Sequence, residues 1–350
     1  MPTPSRPFVS IVMPALNEER YIGEAISSIL PLSDDLDYEL LVLDGGSKDR
    51  TQEIVRQIAS RNARIKLLHN ERHIQSAAVN IASEACDSRT AVLVRADCHA
   101  KYPAEFVARC VDTLGRTGSS SVVVAMRAVG FHPKQKAIAA TQNSRLGNGG
   151  SQHRMAGQSG YVDHGHHAAF DLKTFRALGG YDETAPYNED AEFDARLVES
   201  GGRIYLDGSL TIDYYPRSNF RALGTQYFRH GWGRANTILK HGKMPKLRQM
   251  LPVLVLFGCF GGLALVPLVG LIGLLPLAFY LSACLAWAIG LAGRARDFCI
   301  LLAAPAAVVM HMSWATGFLT RMLDGLRQRL GRRLRDLLSR SGTASEGRVR

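Results

Sequence analysis

Apolar residues recur along the first 215 positions in two alternating rhythms. Short runs at 8–13, 38–43, 65–68, 91–94 and 121–126 are bounded by turn formers and read as buried strands. Between them, 51–59, 74–86 and 103–114 read as helices. Another is predicted from Asn17, where Tyr21, Ile22, Ala25, Ile26 and Ile29 repeat at helical spacing. Pro14 is expected to stop the first strand and Pro31 to close the first helix. Strands alternating with helices of this length predict a doubly wound, mostly parallel α/β sheet.

The pattern loosens over 130–161, where Gly147, Gly149, Gly150, Gly157 and Gly160 suggest a mobile loop over a pocket. A short strand at 168–170 and a turn at 178–182 follow. Asn188 is positioned as the N-cap of a helix whose first turn carries Glu189 and Asp190, with Phe193 and Leu197 giving its buried face. Two short strands, 203–206 and 210–214, end the soluble part.

From 220 to 239 the spacing predicts an amphipathic helix lying in a membrane interface. Positions 251–293 then hold no charged residue, long enough for two helical spans at roughly 20 residues each, with Pro267 or 270–273 near the turn. A third apolar stretch, 298–319, is interrupted by His311, Ser313 and Thr316. A full crossing there would export Arg321, Arg327, Arg329, Arg332, Arg333 and Arg335, against the positive-inside tendency. We therefore expect 298–319 to be re-entrant or to lie along the interface; three crossings with an exported tail is the alternative. The resulting division is an α/β domain at 1–216, an interfacial segment at 217–248, membrane helices at 249–320 and a basic, partly disordered tail at 321–350.

Charge changes the picture in one respect. The formal net charge of +11 is concentrated late: no Asp or Glu occurs from Tyr214 to Arg296, and nine arginines lie between 321 and 350. Beside an uncharged apolar run, that basic charge points to anionic membrane lipids and away from nucleic acid. The six cysteines lack metal-ligand spacing and read as reduced thiols. The opening stretch 2–7 is polar and rich in breakers, so no signal peptide is expected.

Three carboxylates, Asp44, Asp97 and Asp190, fall at the ends of separate elements, which places a site at the carboxyl edge of the sheet. Asp44 feeds a Gly45-Gly46 turn and is suited to accept hydrogen bonds from a base or ribose. Neither a Gly-x-Gly-x-x-Gly after the first strand nor a Walker lysine motif is present. Asp97 is a candidate ligand for a hard divalent cation bridging a diphosphate, with His99 assisting. Asp190 is then the candidate general base. The Gly165-His166-His167 segment is expected to line the same pocket.

Met13-Pro14-Ala15-Leu16-Asn17-Glu18, Asp44-Gly45-Gly46-Ser47-Lys48-Asp49-Arg50-Thr51, Arg95-Ala96-Asp97-Cys98-His99-Ala100 and Asn188-Glu189-Asp190 resemble the successive motifs of glycosyltransferase family 2, in order, across roughly residues 8–240. The resemblance implies a GT-A fold, a nucleotide-sugar donor, a divalent metal (Mg2+ or Mn2+) and inversion at the anomeric carbon. It assigns Asp190 as the base. Donor contacts fall on Pro14, Asn17, Glu18, Asp44, Arg95, Asp97, Glu189, His167, Gln226 and Arg229, and metal contacts on Asp97 and His99. Three departures stand out. Gly45 replaces a frequent second Asp, and Arg95 replaces the first Asp of the usual Asp-x-Asp. His230 replaces the Trp of the Gln-x-x-Arg-Trp motif of processive members, so the likeness stops short of processive polymerisation. The motif at 95–103, the 226–229 segment and the membrane tail further resemble exopolysaccharide glucosyltransferases of the succinoglycan type. That likeness implies UDP-glucose as donor, a polyprenyl-diphosphate-linked glycan as acceptor, and an inner-membrane enzyme with its catalytic domain cytoplasmic. Direct transfer to a polyprenyl phosphate, or an inactive membrane scaffold, are the alternative readings.

Overall fold

The computed structural model describes residues 7–31, 36–150, 157–185, 187–242, 245 and 247–346; the opening stretch 1–6, part of the expected loop at 151–156, and 347–350 lie outside them. The strands are β1 (Phe8–Ala15), β2 (Tyr38–Asp44), β3 (Ile65–His69), β4 (Thr90–Arg95), β5 (Ala100–Lys101), β6 (Ser121–Ala128), β7 (Gly160–Val162), β8 (His166–Asp171) and β9 (Ile204–Tyr214). They form one sheet in the order β3-β2-β1-β4-β8-β6-β9-β5, with β7 on β9. The pairs β1–β2, β1–β4, β2–β3 and β6–β9 are parallel. β8 is antiparallel to both β4 and β6, so the sheet is mixed.

Successive residues of β1 serve opposite faces, as the two-residue period of a strand requires. Val9, Ile11 and Met13 enter one core with α1 (Ile22–Ile29) and α2 (Thr51–Ala59), while Val12 enters the other with α3 (Gln75–Ala85). α4 (Phe106–Thr117) completes the first layer. The second layer is finished by α7 (Leu172–Ala177) and α8 (Glu189–Glu199). Phe170, Phe175, Tyr181 and Phe193 interlock there with ring centroids 5.0–5.6 Å apart along the chain Phe170–Phe175–Phe193–Tyr181. Each such side chain contributes roughly 1.5–3 kcal/mol by burial. Phe193 lies one turn beyond Asp190, so this packing also holds the start of α8 in place.

Several expectations are corrected here. β1 runs through Pro14 to Ala15, because β4 ends at Arg95 and Pro14 therefore deprives no neighbour of a ladder hydrogen bond. Asn17 starts no helix. It adopts φ 56° in the loop before α1, accepts from the Lys48 N–H at 2.9 Å, and donates its own N–H to Ser47 Oγ at 2.9 Å. The segment expected to be a mobile loop contains α5 (Pro133–Gln142) and α6 (Arg145–Asn148). α5 is buried on several faces by different partners, which erases the one-sided apolar stripe that would have marked it. The two short strands after α8 are one bent strand, β9, with a register shift opposite Val124/Ala125.

α9 (Phe220–His241), α10 (Leu247–Val269), α11 (Leu275–Ala295) and α12 (Ala303–Glu346) follow, and α12 continues across the boundary drawn at 320. α10 turns back into α11 through a 3-10 segment at Gly270–Leu274. At 1.5 Å per residue these helices are about 30–35 Å long, close to the hydrocarbon thickness of a bilayer. Their surfaces stay open: Leu268 is 81% and Phe279 79% exposed. Gln249–Ala295 and Phe298–Gly331 are each long and apolar enough to cross a membrane by length and composition.

The 298–319 stretch is nevertheless seated on the sheet domain. Ile138 of α5 and Leu223 of α9 pack with Ala306 and Met310, and His311 hydrogen-bonds to the Leu146 carbonyl and to Tyr280. α9 and α12 run side by side in the same direction at very close range. A Cβ on Gly231 would lie 2.0 Å from the Trp314 carbonyl oxygen, and one on Gly317 2.0 Å from that of Phe228. Only glycine permits that approach.

Candidate active site

β4 delivers Arg95 and Asp97 to the carboxyl edge of the sheet, next to β1. Antiparallel β8 delivers His166 and His167 to the same edge from the other side. The Gly179–Gly180 turn, with Gly180 at φ 66° and no room for a Cβ beside Asn80, returns Tyr181 into the core. Asn188 at φ 64° then opens α8 and aims Glu189 and Asp190 inward. Its side chain does not cap the helix as expected, and its Nδ2 is buried without a hydrogen-bond partner.

Arg95 is the centre of the cluster. Its guanidinium pairs tightly with Asp190, and its Nη2 lies 3.6 Å from Glu189 and 3.8 Å from Asp97. Nη1 also reaches the Tyr181 hydroxyl at 3.1 Å, and Nε is buried without a partner. A buried cation is tolerable only when paired, and here three carboxylates surround one. Burial works against ionisation of Asp190, but Arg95 and His167 outweigh it and hold the carboxyl well below its ordinary range. Burial and the Asp190 charge push Glu189 the other way. For Asp97, burial is again outweighed, chiefly by Arg95, so it stays ionised. His166, 3.5 Å from Asp97, is lowered to about 4 by burial and is neutral.

Behind Asp190 runs a chain of polar contacts. Tyr181 Oη is 3.1 Å from Asp190 Oδ1 and 2.7 Å from His167 Nδ1; His167 Nε2 is 2.7 Å from Asp194, whose other oxygen is 2.6 Å from His164. Burial lowers the His167 pKa, but Asp194 and Asp190 more than offset this and raise it to about 9. The protonated ring then donates to Tyr181 and Asp194, freeing the Tyr181 proton for Asp190. A raised value means that this stabilisation is fully present below the ordinary pKa near 6.5 and is lost as pH rises through about 9. The shift corresponds to something on the order of 3 kcal/mol. The melting temperature of the protein is expected to fall between pH 7 and 10, and His167→Gln to flatten that fall; an unchanged slope in the variant would dismiss the protonated ring.

The other residues singled out from the sequence fall into a second group beside the first. Glu18 Oε1 meets His99 Nδ1 at 3.1 Å, the His99 ring stands 5.3 Å from that of Tyr214, and Gln226 donates to the Tyr214 hydroxyl at 3.0 Å. His99 thus has one nitrogen committed to Glu18. The Pro14 carbonyl accepts from Cys98 Sγ. Asp44 is 2% exposed, and its carboxylate accepts from the Gly46 and Ser47 N–H groups and from Gln52 Nε2 at 2.7 Å, shaping its own turn. Arg229 sits 5.2 Å over the ring of Tyr187, two residues before Glu189. Tyr181, Asp194 and His164 were not foreseen. Asp194 was within reach, since it shares a helix face with Asp190 at i, i+4; a lone tyrosine after two glycines carries no such signal.

Among the described residues, no three His, Cys, Asp or Glu side chains are arranged to hold a metal. A hard divalent cation needs only one or two protein carboxylates when phosphate oxygens and water complete its shell. Asp97, ionised and beside a neutral His166, fits that requirement.

A mixed sheet with an acidic cluster at the carboxyl ends of its central strands, followed by membrane-type helices, is the architecture of a GT-A glycosyltransferase. The glycosyl transferase family 2 model matches residues 10–179, and the chain belongs to that family. It is 43% identical over 314 residues to the succinoglycan biosynthesis protein ExoA of Rhizobium meliloti (strain 1021), covering 90% of this chain and 94% of that one. It is also 23% identical to a dolichyl N-acetyl-alpha-D-glucosaminyl phosphate 3-beta-D-2,3-diacetamido-2,3-dideoxy-beta-D-glucuronosyltransferase of Methanococcus voltae, over 67% of this chain and 74% of the relative. Among solved structures, the mannosyltransferase PcManGT from Pyrobaculum calidifontis, in complex with GDP-Man and Mn2+, superposes with a TM-score of 0.56 at 19% identity. That match covers 91% of this chain and 88% of the other, and shows the shared fold. All six cysteines are free thiols.

Proposed function

We propose that this protein is a metal-dependent, inverting glycosyltransferase of exopolysaccharide synthesis. It moves glucose from UDP-glucose to a polyprenyl-diphosphate-linked glycan at the cytoplasmic face of the inner membrane. The observation that carries the reading is the convergence of Asp97 and Asp190 on Arg95, which sets a diphosphate-facing carboxylate beside a general base. The near full-length likeness to ExoA supports the pathway.

Asp190 takes the proton of the acceptor hydroxyl as that oxygen attacks the anomeric carbon and the nucleoside diphosphate leaves from the opposite face. Asp97, with His99 beside it, would hold a divalent metal together with the donor phosphates, and such a metal would supply countercharge for the leaving diphosphate. Arg95 adds a fixed cation beside the same group. Pro14, Asn17, Glu18 and the Asp44 turn form the nucleotide side, and Gln226 and Arg229 on α9 flank the acceptor side. The α10–α11 hairpin enters the bilayer, while α9 and the 298–319 stretch lie along the interface, keeping the basic tail on the catalytic side.

Purified protein in lipid nanodiscs is expected to release UDP from UDP-glucose when Mn2+ or Mg2+ is present. EDTA should abolish this, and Asp97→Ala should not be rescued by ordinary metal concentrations. Full turnover in EDTA would remove the metal from the mechanism, and failure to cleave any nucleotide sugar would remove the enzyme reading.

A further inference from the structure

A cleft of about 480 Å3 opens between the second half of α9 and the middle of α12, walled on a third side by Asp182 and Thr184. Three cations reach it: Lys240, Arg321 and Arg329. Lys240 is already paired with Asp182 at 2.7 Å and with Glu192 at 2.6 Å. The remaining acid of the cleft, Asp324, lies 4.0 Å from Arg327 outside it. Arg321 and Arg329 have no carboxylate partner among the described residues.

Arg321 is held ready for an anion. Its Nε donates to Asn236 at 2.9 Å, its guanidinium lies 5.3 Å over the Trp232 ring, and its Nη1 is buried with no hydrogen-bond partner. A Cβ at position 325 would lie 2.7 Å from Leu239 Cδ1 and 3.4 Å from that nitrogen, so Gly325 lets α12 close on α9 beside the guanidinium. A guanidinium fixed by stacking and one hydrogen bond, with an unmet donor, suits the fork geometry of a phosphate.

Its surroundings narrow the ligand further. Directly beside the cleft, Ala235, Val253 and Phe318 are buried together with Ile238, Met250 and Met322 where α10 begins. Beyond them α10 presents exposed Leu251, Leu254 and Phe257. A ligand at this spot has its anionic group in the cleft and an apolar body along α10. On the other side, the Trp232 ring stands 5.8 Å from that of Tyr187, two residues before Glu189. The cleft therefore adjoins the segment that carries the base.

We propose that this cleft binds the phosphate of a membrane amphiphile, with Arg321 and Arg329 as its anion ligands. Resting on the lipid-linked acceptor read above, that amphiphile is the acceptor, anchored so that its sugar reaches Asp190. The test uses the full chain in phosphatidylcholine nanodiscs. Arg321→Gln/Arg329→Gln is expected to raise KM for the lipid acceptor about 10- to 100-fold, the range for losing charge-assisted hydrogen bonds. The turnover number and acceptor-free UDP-glucose hydrolysis should stay unchanged. Arg329→Gln alone alters only an exposed side chain and guards against misfolding of the double variant. In parallel, a long-chain polyprenyl phosphate is titrated into the discs without donor, and flotation is compared on phosphatidylcholine vesicles with and without phosphatidylglycerol. Weakened polyprenyl phosphate binding assigns the cleft to the acceptor. A loss confined to phosphatidylglycerol vesicles assigns it to bilayer headgroups. Wild-type values in all three measurements would overturn the proposal. A protein that cleaves no donor yet loses polyprenyl phosphate binding in the variant would sink the transferase reading and leave the cleft standing.

Discussion

Asp190→Asn is expected to lower turnover by roughly 10²–10⁴, the range for removal of a general base. The substitution keeps the size of the side chain and its contact with the Tyr181 hydroxyl, and Asp97 and Glu189 remain beside Arg95, so it should lower stability without unfolding the site. Donor affinity, measured by titrating UDP, should change little, because the proposed role involves the acceptor proton and not the nucleotide. A loss confined to the acceptor step has a distinct signature: kcat and kcat/KM for the acceptor fall together while UDP binding persists. Turnover near that of the unaltered protein would remove Asp190 from the base role. Equal loss of UDP binding would place it in the donor site instead.

Arg95→Met is expected to cost stability first and activity second. Removing one partner of a buried ion pair typically costs about 3–5 kcal/mol, because the charges left behind remain unpaired. Here Asp97, Glu189 and Asp190 would face one another across an apolar side chain, with His167 the nearest remaining cation for Asp190. The thermal transition should fall by roughly 10 °C on the usual scaling for a domain of this size. Arg95→Met/Asp190→Asn should recover part of that loss, since the second change removes one stranded charge; the two residues touch and should not behave additively. Mn2+ should raise the melting temperature of Arg95→Met more than that of the unaltered chain, because a cation bound only by the native state stabilises it. A single variant as stable as the parent would mean that the guanidinium does not hold the cluster together.

The strand and helix rhythm of the sheet domain was legible because both are local. Runs such as 38–43 and 51–59 name their own element, and the observed Tyr38–Asp44 and Thr51–Ala59 follow them within a residue. α5 was not legible for the same reason reversed. Its Ile138 is buried by Leu223, Ala306 and Met310, residues 85 or more positions away, and nothing near 133–142 announces them. Pro14 stays in β1 because β4 has ended beside it, and Asn17 stays out of a helix because it binds Ser47 and Lys48, and neither contact is local in the chain. Asp44 shows the limit for a site. An acidic residue before two glycines reads as a ligand contact, and only the structure shows that the same carboxylate also accepts from the Gly46 and Ser47 N–H groups and from Gln52.

The sequence by itself determined that this chain has an α/β half with carboxylates at element ends and an apolar, late-basic half suited to a membrane. Those properties depend on residue order, spacing and charge, which a string carries in full. Only the tertiary structure decided that Arg95 stands among Asp97, Glu189 and Asp190, and that Tyr181, His167, Asp194 and His164 continue the network to the edge of the domain. It alone decided, too, that 298–319 is docked on α5 and α9. Charge interactions depend on separation and on the water excluded between groups. Residues 95 and 190 acquire both only when β4, β8 and α8 meet.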